Sequence, residues 1–483
     1  MKSYFVFIIP LVAGILIVLV ASALAAGAPE QKRRFYNRVT LWTSIVVLLL
    51  SALLTLPLIP GTRLFGDSFL VTDTARSFAV VFLLLTALVV LLTDGYFAKV
   101  HVNGNDWRLI VLCMSLGAVH LIFANNLPTF FMAFQLVSIP TYALVGFARI
   151  DRRSNEAGMK YLILGLLTGA LLLLGLSLLY GATGEIEFTA MRAKLMAAGA
   201  DDGSRHLAIV AMVLVCTAFF FKIAAAPFHS YLLDVYQGSN FAATLLVAVP
   251  AKIVYFAAVW RLLDGPLLAF DEIYRPVCAL VALLSFFAGG VQGLTQNNLK
   301  RILACSAVLN AGFLLLAIVF AQPAVLTYYL LAYGLMNIAL IAFWMALGRR
   351  HADADTLADL DGLATRDRSL ALGMTVVLLS FAGIPLTAGF LSKFLVIFAV
   401  FEQALSGPSA DVQVWVAVLG IFASVLAAFF YFRMIRHIWF RHAAPQIPTA
   451  AGPADRRWNY MLVGWLAAIL LLVLGVWPLP LLG

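Results

Sequence analysis

The sequence predicts an all-α polytopic membrane protein of fourteen transmembrane helices, the seventh and twelfth broken, with two inverted five-helix repeats. Three observations predict it: the composition is too apolar for water, apolar runs of membrane-crossing length recur along the chain, and the basic residues sort to one side of those runs. Of 483 residues, 63% are hydrophobic and 11% are charged. Soluble domains average about 45–50% and about 25%. Length alone suggests about three soluble domains, but so few charges cannot cover so much apolar surface. The same figures exclude a secreted disulfide scaffold, a collagen and a disordered tail.

A helix needs about 20 apolar residues to cross the hydrocarbon core. The first run, 4–26, ends Ala21-Ser22-Ala23-Leu24-Ala25-Ala26, which looks like a signal-peptide cleavage site. Signal cores span about 7–15 residues behind a basic start. Here the run is longer, only Lys2 precedes it, and Lys32, Arg33, Arg34 and Arg38 follow it, so it reads as a retained helix that begins outside. Runs at 40–59 and 76–96 follow, separated by Arg63 and Arg76. Lys99 precedes and Arg108 opens 107–124, which 127–148 follows, and Arg149, Arg152 and Arg153 precede 157–181, with Lys160 at its start. After the connection at 182–204 come 205–233, 239–262 and 270–291, then Lys300 and Arg301 at the start of 298–319, then 323–348. Arg349, Arg350, Arg366 and Arg368 precede 368–400 and 411–440, and a last basic group, Arg433 to Arg457, precedes 458–482. No connection is long enough for a separate soluble domain.

Positive residues favour inner loops. With the amino terminus outside, the inner connections carry 21 of the 32 basic residues and the outer side eight. Both termini are therefore expected outside. Trp415, Trp439, Trp458 and Trp477 read as interface anchors. The net charge of +9 reflects this sorting and calls for no nucleic-acid partner. The four cysteines lie apart in apolar runs, with no CxxC and no clustered histidine for a zinc or iron–sulfur site.

Three basic residues remain: Lys222, Lys252 and Lys393, each inside an apolar run. A cation at the bilayer centre costs about 2.5–3.5 kcal/mol on insertion scales, and such residues mark ion or proton paths. An arginine would hold its charge but not pass a proton on, whereas a lysine taken out of water can load and release one near neutral pH. Two of these lysines stand beside helix breakers, in Lys222-Ile223-Ala224-Ala225-Ala226-Pro227-Phe228-His229 and in Gly383-Ile384-Pro385 through Lys393. A break in lipid survives only against protein or a wet cavity. The two spans lie five apart and so run in opposite directions, which puts both lysines on the outer side of their breaks. That is the pattern of an inverted repeat. It divides the chain into 1–106 (three helices), 107–262 (helices 4–8), 263–440 (helices 9–13) and 441–483 (helix 14).

No carboxylate reads as lying at mid-depth beside a lysine. Glu156 and Lys160, spaced i, i+4, suit either a helix-surface ion pair or a gate at the inner mouth. His229 suits either a proton relay or a hydrogen-bonded core position.

From residue 107 to 440 the chain resembles the proton-conducting antiporter-like subunits of respiratory complex I. The resemblance lies in Arg152 to Tyr161, in Lys222 to His229 with Asp234-Val235-Tyr236-Gln237-Gly238, in Thr295-Gln296-Asn297-Asn298-Leu299-Lys300-Arg301, in Leu331 to Asn337, and in Ala382 to Phe390 with Lys393. It implies fourteen helices, two inverted five-helix repeats and a central lysine relay at Lys222, Lys252 and Lys393. It also implies a bacterial cytoplasmic membrane, other membrane-arm and peripheral-arm subunits as partners, no cofactor in this chain, and FMN, iron–sulfur clusters and quinone in those partners. The chain departs from the family at Gln135, where the resemblance expects a glutamate paired with Lys222, and at Asn310 and Phe313, where it expects His and Tyr. Three functions follow as expectations: a proton-translocating subunit of a redox complex, a cation/proton antiporter subunit, or a non-pumping spacer. The antiporter would need a mid-depth carboxylate site for a metal cation. The spacer is made more credible by Gln135.

Overall fold

The computed structural model describes residues 2–97, 102–197, 202–347, 355–406, 410–442 and 454–478. Among them fourteen helices are long and apolar enough to cross a membrane, one for each predicted run. Lys99, Arg349 and Arg350, counted above with the inner connections, lie outside the described residues, as do the side chains of Lys2, Arg456 and Arg457.

The first helices are α1 (Lys2–Ala26), α2 (Glu30–Thr55), α3 (Asp73–Thr93), α4 (Gly104–Phe123), α5 (Leu127–Val145) and α6 (Arg152–Thr183). A two-stranded hairpin, β1 (Arg63–Leu64) with β2 (Phe69–Leu70), links α2 to α3. After the short α7 (Phe188–Met196) come α8 (Asp202–Lys222) and α9 (Ser230–Gly238). The eighth span consists of α10 (Phe241–Leu246), a π turn at Val247–Ala251 and α11 (Lys252–Leu263). Then come α12 (Asp271–Thr295), α13 (Leu299–Phe320), α14 (Pro323–Leu347) and the short α15 (Leu363–Arg366). These are followed by α16 (Arg368–Ala382), α17 (Ala388–Ser406), α18 (Ala410–Phe440) and α19 (Ala454–Val476).

The chain divides into two compact units, Met1–Ile223 with Pro250–Arg275, and Ala224–Val249 with Pro276–Gly483. In the first, α1 packs on α2 and α4, α4 on α5, α6 on α8, and α11 on α3, α4 and α8. In the second, α14 packs on α16, α17 and α19, α18 on α16 and α17, and α13 on α9, α14 and α17. α13 is buried along nearly its whole length, which is why its sequence is apolar all round.

Each unit holds the same backbone clamp. In the first, Leu127 donates its N–H to Ile186 O (3.0 Å) and Phe188 to Asn125 O (2.8 Å), while Asn126 Oδ1 caps α5 through Thr129 N (2.8 Å). In the second, Leu299 donates to Asp355 O (2.8 Å) and Leu357 to Asn297 O (3.0 Å), while Asn298 Oδ1 caps α13 through Arg301 N (3.1 Å). An Asn-Asn-Leu triplet builds both.

Two residues counted with the connections are buried. Arg108, on α4, donates to Asp94 (2.9 Å), Thr40 Oγ1 (3.0 Å) and Asn105 Oδ1 (3.2 Å). Lys300, in the first turn of α13, donates to Ser239 O (2.9 Å), lies 3.8 Å from Asp355 Oδ1 and sits over the Phe241 ring. Sorting by chain position misses them because folded neighbours, not the position in the run, enclose a helix end.

An N-cap removed by alanine costs about 1 kcal/mol. Asn298→Ala should destabilise the detergent-solubilised protein by that much, read as a lower thermal unfolding midpoint, while Asn298→Asp, which keeps the acceptor, should stay close to the parent.

Candidate functional site

Lys222, Lys252 and Lys393 are 5%, 4% and 3% exposed. Lys222 and Lys252 belong to the first unit, Lys393 and His229 to the second.

Lys222 is the last residue of α8. Its ammonium donates to Ser138 Oγ (3.1 Å) and to the Tyr142 hydroxyl, both on α5. Four rings surround it: Tyr142 at 4.5 Å from the centroid, Phe134 at 5.0 Å, Tyr255 at 5.2 Å and Tyr161 at 6.0 Å. The faces of such rings attract a cation. Ser138 Oγ is also 3.0 Å from the Tyr255 hydroxyl. Phe134, Ser138 and Tyr142 recur every four residues on α5, which puts them on one face. The cage suits both protonation states. A hydroxyl accepts from an ammonium and donates to an amine, so neither state leaves the nitrogen without a match.

Lys252 opens α11 directly after the π turn that contains Pro250. Tyr255 follows three positions later and shares its face.

Lys393 lies on α17 and donates to Phe381 O at 2.8 Å. This acceptor is a product of the helix break. α16 ends with Gly383 in a left-handed conformation (φ 81°), its N–H bonded to Ser380 O and that of Ile384 to Leu379 O. A continued helix would satisfy Phe381 O from residue 385, but Pro385 has no N–H. The lysine takes the carbonyl that the proline leaves open. The Phe313 ring lies 5.6 Å from the same ammonium. Nearby, Asn310 Oδ1 accepts from Tyr329 (2.9 Å), Asn310 Nδ2 donates to Ser306 O (2.8 Å), and Ser306 Oγ meets the Tyr431 hydroxyl (2.5 Å).

His229 is buried just before α9, and Gln292 Nε2 lies 3.0 Å from its Nε2. An amide N–H there makes that ring nitrogen the acceptor. Gln135, half-buried on α5, lies against Gly169 of α6 and is not among the hydrogen-bond partners of Lys222. Glu156 is exposed and makes the i, i+4 pair with Lys160 (2.9 Å). It takes no part in the Lys222 cage. The sequence reading missed Ser138, Tyr142, Tyr161, Tyr255 and the π turn. Only Pro250, two residues before Lys252, signalled any of them.

A profile described as "NADH:quinone oxidoreductase/Mrp antiporter, TM" matches residues 124–429. NADH-quinone oxidoreductase subunit N of Trichlorobacter lovleyi is 34% identical over 382 residues, 78% of this chain and 76% of that protein. Subunit N 2 of Roseiflexus castenholzii is 33% identical over 410 residues, 83% and 80% of the two chains. A chain of respiratory complex I from Thermus thermophilus superposes with a TM-score of 0.75 at 28% identity, covering 96% of this chain and 97% of that one. A chain of the Mrp complex of Dietzia sp. shares the fold, with a TM-score of 0.79 at 20% identity and coverage of 99% and 95%.

Gly165 of α6 leaves room for Tyr142, since a Cβ there would overlap the tyrosine hydroxyl. Overpacking of this kind costs about 1–3 kcal/mol. Gly165→Ala should destabilise the solubilised protein by that amount. Adding Tyr142→Phe, which removes the overlapping oxygen, should recover part of the loss, and a double-mutant cycle of thermal unfolding measures the coupling.

Proposed function

The chain belongs to the NADH:quinone oxidoreductase/Mrp antiporter membrane family, and from that premise we propose that it is the subunit N of a complex I-type NADH–quinone oxidoreductase and moves protons by a lysine relay. The relatives above carry that subunit's name, and the chain aligns with most of their length. The Asp234-Val235-Tyr236-Gln237-Gly238 stretch and the lysine in the twelfth span point to the same subunit. The observation that carries the relay is the burial of three lysines, with Lys222 the last residue before one helix break and Lys393 on the helix that follows another.

Lys222 takes a proton from the inner side through the break that follows α8. Lys252 passes it along the midplane, and Lys393 releases it outward. The orientation rests on the sorting of basic residues, with both termini outside. Redox energy comes from other subunits of the membrane and peripheral arms, which hold the flavin, clusters and quinone. It reaches this chain as a change of charge next door. A proton moved against 100 mV needs about 2.3 kcal/mol, which a shift of a few pKa units supplies at about 1.4 kcal/mol each.

Two five-helix repeats also form part of this reading. The twin Asn-Asn-Leu clamps support them, as do the pairs Ser138–Tyr255 and Ser306–Tyr431. Each pair joins the second and fifth helix of its repeat.

The assembled complex in sealed vesicles tests the relay. Lys222→Ala and Lys252→Ala should lower the number of protons moved per electron at normal complex content. Lys393→Arg keeps a charge and a donor but holds its proton, so it should assemble and still lose the same increment. Unchanged stoichiometry in all three would make the chain the non-pumping spacer that Gln135 suggests.

A further inference from the structure

We propose that Ser138 and Tyr255 form a fixed hydroxyl bridge that carries the proton from Lys222 to Lys252. The inference rests on the lysine relay and specifies the route of one leg, which lies wholly within the first unit. Lys222 Nζ is 3.1 Å from Ser138 Oγ, and Ser138 Oγ is 3.0 Å from the Tyr255 hydroxyl. All these side chains are buried. Tyr255 stands three positions beyond Lys252 on α11, a spacing that puts both residues on one face of the helix. The ring is held in place by Phe134, whose centroid lies 5.8 Å away. The series of groups therefore runs from one lysine to the helix face of the other through protein oxygens.

The transfer balances atom by atom. An N–H bond of the Lys222 ammonium breaks as an O–H bond forms on Ser138. The proton that Ser138 held moves to the Tyr255 oxygen, and the proton that Tyr255 held moves to the neutral Lys252 amine. Each oxygen gains one proton and loses one, no electron moves, and a single positive charge leaves Lys222 and arrives at Lys252. Rotation of the two hydroxyls then resets the bridge, and the starting state returns once Lys252 has passed its proton on and Lys222 has taken up another. Hydroxyls can do this because each both donates and accepts. Gln135 contributes no charge that would hold the ammonium in place.

The test uses the assembled complex in sealed vesicles, with protons per electron measured for Ser138→Ala, Ser138→Thr, Tyr255→Phe and Lys222→Ala, normalised to complex content and electron-transfer rate. Ser138→Ala and Tyr255→Phe should each lose the increment that Lys222→Ala loses. Ser138→Thr, which returns the hydroxyl, should restore it, and that rescue separates proton carriage from packing. Should one bridge variant fail to assemble, the other still decides. If Lys222→Ala loses the increment while both bridge variants keep it, the bridge is wrong and water carries this leg of a working relay. If none of the four changes the stoichiometry, the relay reading falls and the bridge with it.

Discussion

An ammonium group inside a hydrocarbon slab is the constraint to which the rest of the molecule answers. Water is replaced by whatever acceptors the fold can bring, and a regular helix offers none, because its carbonyls are already bonded. The chain answers in two ways. At Lys222, two hydroxyls and four aromatic faces gather from three neighbouring helices. At Lys393, a proline opens the helix, and the freed Phe381 carbonyl becomes the acceptor. In the second case the break and the cation are each other's remedy. An unbonded carbonyl and an unbonded ammonium are both costly in lipid, and together they offset one another.

The two remedies differ chemically. A carbonyl only accepts, so it bonds the ammonium but offers nothing to the lone pair of an amine. A hydroxyl serves either state. The Lys222 cage therefore matches the lysine in either form. Glutamate at position 135 would bring a fixed charge to the same face of α5. Glutamine does not, and Tyr142 with Ser138 contacts the lysine in its absence.

The fourteen spans were legible because membrane crossing leaves a compositional trace in every helix. The three lysines were legible because each interrupts that trace. The cage was not. Ser138, Tyr142, Tyr161 and Tyr255 are ordinary residues in apolar runs, and nothing local marks them as neighbours of Lys222, which is 84 positions from Ser138. The break in the eighth span was hidden for a related reason, since Pro250 is absorbed by a π turn without interrupting the apolar run. Arg108 and Lys300 look like loop charges and are buried, because their burial comes from elements distant in sequence: α2 and α3 for one, the α9–α10 junction for the other.

The second unit repeats the serine–tyrosine pair but continues it differently. Ser306 meets Tyr431, yet the network runs on through Asn310 to Tyr329 rather than to a lysine. An amide neither gains nor loses a proton near neutral pH, and its two ends have fixed roles, Oδ1 accepting and Nδ2 donating. With Phe313 turning a ring rather than a hydroxyl toward Lys393, this network acts as a strut between α13, α14 and α18. The departures at Asn310 and Phe313 thus put an amide and a plain ring where the resemblance expects His and Tyr, while beside Gln135 the Ser138 and Tyr142 hydroxyls meet the lysine without a carboxylate.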